Sequence, residues 1–67
     1  MDRQGVTNRM RELNITVPML CKELGMNTST YYRKMQKNGE DFSAAHLLIM
    51  KRVLKLDADQ AVSMLIE

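Results

Sequence analysis

The residues whose types suit chemistry lie close together, between Thr28 and Lys37. Thr28, Ser29 and Thr30 carry small hydroxyls, Tyr32 a phenol, Arg33 a guanidinium and Gln36 an amide, with Lys37 just beyond. Hydroxyls, Arg and amides are the groups that read base edges in the major groove of DNA, where each base pair shows a distinct donor and acceptor pattern. That groove is also wide enough for one helix. Arg33, Lys34 and Lys37 make the set basic, and Lys22 stands on the element before it, while Asp57, Asp59 and Glu67 are remote in sequence. The chemistry implied is hydrogen bonding to bases and attraction to phosphate.

Two short helices joined by a tight turn would position this set. Asn27 is a good N-cap, and Thr28 to Gln36 is long enough for a helix whose Tyr31 and Met35, at i, i+4, point into a core. The preceding helix starts at the Thr16 cap, tolerates Pro18 in its first turn and buries Leu20, Cys21 and Leu24. Gly25 ends it, because glycine takes a left-handed backbone at no steric cost. Met26 then plugs the angle between the helices.

In order, these features resemble the helix-turn-helix of phage repressor and Cro-type DNA-binding proteins. Cys21 fills the small-residue place four positions before the turn glycine, Leu24 and Met26 flank Gly25, and Thr30-Tyr31-Tyr32-Arg33-Lys34 is similar to the recognition helix of small phage proteins. There are two departures. Val17 stands where a phosphate-anchoring Gln is frequent, which weakens one contact. Lys34 stands where a branched apolar residue is usual, with Met35 one place later, which implies a slightly rotated recognition helix. The resemblance implies base reading by Thr28, Ser29 and Arg33, with Tyr32 and Gln36 at the flanks. Phosphate contacts would fall to Lys22, Lys34 and Lys37 and to Val17, Asn27 and Thr30 near the two helix starts, where backbone N–H groups and the helix dipole favour anions.

The remaining elements follow from periodicity and caps. Val6, Met10 and Leu13 predict a first helix over about Arg3 to Leu13, weakened at its first turn by Gly5 and ended by Asn14, with Ile15 packing down after it. Arg9 and Arg11 lie off the apolar stripe, suited to solubility or to a phosphate. Gln36 to Asp41 is a turn by composition. Ser43 caps a fourth helix, Phe42 packs on Leu47 as a staple, and Leu47, Met50, Val53 and Leu54 recur at helical spacing. Leu56 packs in the link. Asp57 and Gln60 have the form of a capping box, and Ala61, Val62, Leu65 and Ile66 make the last helix apolar. The fold class expected is all-α, a compact five-helix bundle with the helix-turn-helix as its second and third helices, the layout of lambda-repressor-like domains.

Composition narrows the function. A chain of 67 residues is one domain, residues 1–67, with a small core. The net charge of +2 alone does not mark a nucleic-acid binder. No signal peptide or membrane span is expected, and a single cysteine fits a reducing cytoplasm. Cys21 reads as a packing residue, and one histidine, His46, supports no histidine metal site. With no paired carboxylates, Cys/His cluster, phosphate loop or nucleophile–base arrangement, no enzyme activity, metal, cofactor or small-molecule ligand is expected. The function expected is sequence-specific binding of double-stranded operator DNA by a Cro-like repressor. The alternative is a protein-interaction module, an antitoxin or antirepressor that reuses the fold. One short helix reads few base pairs, so a weak homodimer formed on DNA is expected, with Val62, Met64, Leu65 and Ile66 as its contacts. The bland alternative has Val62, Leu65 and Ile66 closing the monomer core.

Overall fold

Each helix begins where a short polar side chain can accept an N–H that has no partner in the first turn. In the computed structural model, which describes residues 1–67, Asp2 accepts from Gly5 and opens α1 (Arg3–Glu12). Thr16 opens α2 (Val17–Leu24) by accepting from Met19, and Asn27 opens α3 (Thr28–Gln36) by accepting from Thr30 at 2.8 Å. Ser43 opens α4 (Ala44–Val53), and Asp57 opens α5 (Ala58–Ala61). The links between helices turn on left-handed residues: Asn14, Gly25, the pair Asn38-Gly39, and Lys55. Gly25 has φ 71°, the conformation expected of the turn glycine.

The helices bury one continuous core. Val6 and Met10 come from α1, Leu20, Cys21 and Leu24 from α2, and Tyr31 and Met35 from α3. Phe42, Met50, Leu54, Leu56, Ala61 and Leu65 complete it. α2 packs on α4 and on α3, and the C-terminal segment packs on α1. The all-helical bundle agrees with the apolar periodicity, and Tyr31 and Met35 point inward as their spacing requires.

Four details differ from the sequence reading. α1 ends at Glu12, and Leu13 is its half-buried cap. α5 is α-helical for only 4 residues and continues as a π-helical turn, Val62–Ile66, in which the Glu67 N–H reaches back to the Val62 carbonyl. A second capping box opens α4: the His46 N–H donates to Ser43 Oγ at 3.1 Å, and the Ser43 N–H donates to His46 Nδ1 at 3.2 Å. Arg9 is neither a solvated charge nor free for phosphate. Its Nε donates to the Leu54 carbonyl at 2.9 Å and its Nη2 to the Lys55 carbonyl at 3.2 Å, so α1 holds the end of α4. A cation there also meets the negative end of the α4 dipole.

Candidate nucleic-acid interface

With Tyr31 and Met35 buried, the opposite face of α3 is fixed by helical geometry. Ser29, Arg33 and Gln36, at i, i+4 and i+7, share one outer stripe, and all three are exposed. Thr28 is exposed in the first turn beside them. Arg33 has no acidic partner within ion-pair distance. Ser29 donates its hydroxyl to Asn27 Oδ1 at 2.8 Å, which leaves its oxygen as an acceptor. Asn27 Oδ1 therefore takes two hydrogen bonds, one from Ser29 and one from the Thr30 N–H, and is committed to the helix start.

The two flanks of α3 differ. On one, Thr30 and Lys34 are half-buried. Lys34 Nζ donates to the Asp41 carbonyl at 3.1 Å, and Lys37 pairs with the Asp41 carboxylate at 3.3 Å. Both lysines are thus gathered at the turn between α3 and α4, and Asp41 offsets part of their charge. Lys34 does not displace Met35 from the core. On the other flank, Tyr32 is 54% exposed and its ring stands edge-on to Tyr31 at 5.8 Å. Beyond it lies an open concavity of about 790 Å³, walled by α1, the start of α2, and α3.

The remaining sequence candidates scatter. Lys22 is exposed on α2 without an ion-pair partner. Val17 is half-buried against the core, so its side chain offers nothing to a phosphate, although its N–H has no partner in the chain. The basic residues Lys51 and Arg52 of α4 lie apart from this face: Arg52 pairs with Glu23 across α4 and α2 at 3.6 Å, and Lys51 borders an apolar groove.

The four residues proposed for self-association do not act as one surface. Leu65 is buried and Met64 half-buried against the core, as the π-helical turn packs on α1. Val62 and Ile66 are exposed, and Leu48 of α4, absent from the sequence reading, joins them at 66% exposure. Leu48 and Ile66 line the same groove of about 280 Å³ with Ala44, Leu47 and Ala61.

Burial also sets two proton affinities. It pushes the Tyr31 phenol up to about 12, with smaller contributions from Cys21 and Tyr32. It raises the Cys21 thiol as well, so the thiolate needed for reactivity is disfavoured. No helix is long and apolar enough to cross a membrane. Comparison with protein-family models, with curated proteins and with solved structures finds no match for this chain.

Proposed function

We propose that the protein binds double-stranded DNA in a sequence-specific manner, with α3 in the major groove, as a minimal Cro-like transcriptional repressor acting in the cytoplasm. One observation carries this reading. The solvent face of α3 is a stripe of hydroxyl, guanidinium and amide groups, with Arg33 unpaired and Tyr31 and Met35 turned inward. A helix serving only as bundle wall has no need of a face free of acidic residues. Here all of Thr28–Gln36 is free of them. Arg33 suits bidentate contact with a guanine, and Ser29, Thr28 and Gln36 suit hydrogen bonds to neighbouring bases. Lys22, Lys34, Lys37 and the first N–H groups of α2 and α3 would meet phosphates.

A second copy completes the reading. The exposed Leu48, Val62 and Ile66 favour association, and a two-fold pair would present two α3 helices to adjacent turns of the groove. The same patch is also what a module for another protein, an antitoxin or antirepressor, would display. Selection of binding sites from a random duplex library, followed by titration at two salt concentrations, separates the two. Recovery of a consensus with salt-dependent affinity is the expected result. No retained duplex at low salt would leave the interaction-module reading in its place.

A further inference from the structure

We propose that the concavity between α1 and α3 seats one sugar–phosphate strand of the bound duplex, with Arg11 as its anchoring cation. This deepens the DNA reading and rests on it. A helix lying in the major groove has a phosphate strand on each side, and the groove is about 12 Å wide. On one flank of α3 the cations are Lys34 and Lys37 at the α3–α4 turn. The other flank carries no cation of its own: Tyr32, the residue it exposes, is neutral. A cation for that strand must come from a neighbouring element, and the wall facing Tyr32 is α1.

That wall carries a polar stripe. Arg3, Thr7 and Arg11 recur at i, i+4 and i+8, and with Gln4 they line the concavity. The arginines of α1 divide by role. Arg9 is committed to the α4 carbonyls and lies near Glu12 at 4.0 Å. Arg3 donates to the Met35 carbonyl at 3.3 Å. Arg11 is exposed, and its guanidinium has neither a carboxylate within ion-pair distance nor a hydrogen-bond partner. The one carboxylate in the lining, Asp2, is held as the α1 cap by the Gly5 N–H at 2.9 Å. Val17, with its unpartnered N–H, lines the same concavity from the start of α2. Arg11 therefore meets an incoming phosphate with little competition, and the Thr7 and Tyr32 hydroxyls are neutral donors in the same lining, while the Gln4 amide already donates to Asn8 Oδ1 at 3.0 Å. The placement also changes the role of Tyr32, from a flanking base reader to a donor to the strand.

The test is the salt dependence of binding, measured on a random-sequence duplex and on the selected one, for the wild type, Arg11→Gln, Arg11→Lys and Tyr32→Phe. Losing one phosphate contact lowers the log–log slope by about 0.9, so a fourfold rise in salt weakens Arg11→Gln about 3.5-fold less than the wild type. Arg11→Lys keeps the charge and the slope. Tyr32→Phe binds more weakly with the same preferred sequence. An unchanged slope in folded Arg11→Gln, on a wild type that binds and selects a consensus, overturns the strand seat and leaves the DNA reading standing. A wild type that binds neither duplex removes both.

Discussion

At the scale of single residues, Arg33 and Tyr31 stand on opposite sides of α3 and answer to different measurements. Arg33 is exposed and unpaired, so its removal costs the fold little. Arg33→Ala should relax the preference at one base pair, by about 1–3 kcal/mol of discrimination, and repeating the site selection with the variant reads this directly. The same consensus at the same stringency would exclude Arg33 as a reader. Tyr31 is 3% exposed and donates only to Met10 Sδ, at 3.8 Å. Its folded proton affinity, near 12, exceeds the value of about 10 for an unfolded tyrosine. The folded state thus holds this proton more tightly. The stability that results is complete below about pH 10 and is lost as pH rises through about 12. Thermal melts at pH 7 and pH 11 should show a smaller alkaline loss in Tyr31→Phe than in the wild type, with little change at pH 7. The Cys21 thiol, which burial also raises, contributes to the alkaline loss that remains.

At the scale of elements, the Arg9 fork is the joint that the helix starts alone do not provide. Two carbonyls at the end of α4 accept from one guanidinium on α1, a geometry that a lysine cannot reproduce. Arg9→Ala should lower stability by about 1–2 kcal/mol, with Arg9→Lys recovering only part of it, as read by chemical denaturation. If Arg9 served DNA instead, denaturation would be unaffected and the salt slope would fall. The caps at Thr16, Asn27, Ser43 and Asp57 were legible in the sequence because a cap acts on an N–H three residues away. The Arg9 partners lie 45 and 46 residues away, and only the folded chain brings them together. His46 as the reciprocal partner of Ser43 escaped notice because Glu or Gln is the usual residue there. The outer stripe of α3 followed from the Tyr31 and Met35 spacing. The α1 stripe was visible as polar spacing, but nothing local says that it faces Tyr32.

At the scale of the molecule, size argues for a pair. The longest dimension is 28 Å, shorter than the roughly 34 Å between major grooves one turn apart on the same face of a duplex. On the DNA reading proposed above, a single copy would span only one half-site. Leu48 was not legible as a contact because α4 is apolar over much of its circumference, and its solvent side depends on where α5 and the π-helical turn lie. Leu48 and Ile66 are each 66% exposed, so aspartate is tolerated at both without opening the core. Leu48→Asp with Ile66→Asp should reduce the stoichiometry on a palindromic duplex from two copies to one in sedimentation, with an unchanged melting temperature. Two copies per duplex in that double variant would move the interface to another face.

The hydrogen bond from the Asp2 N–H to the Met64 carbonyl, at 2.8 Å, has a kinetic consequence. Most close residue contacts in this chain join positions near one another in sequence, which favours rapid folding. This bond joins the two extremities, so its closure entropy must be met after the interior helices have assembled, and it gives way before them. The first turn of α1 and the π-helical turn are then expected to detach as one cooperative unit. Amide exchange should reveal it: the protons of Asp2, Gly5 and Glu67 are expected to share one opening free energy, below that of the Leu54 amide in the interior. Three unrelated opening free energies would mean that each end frays alone.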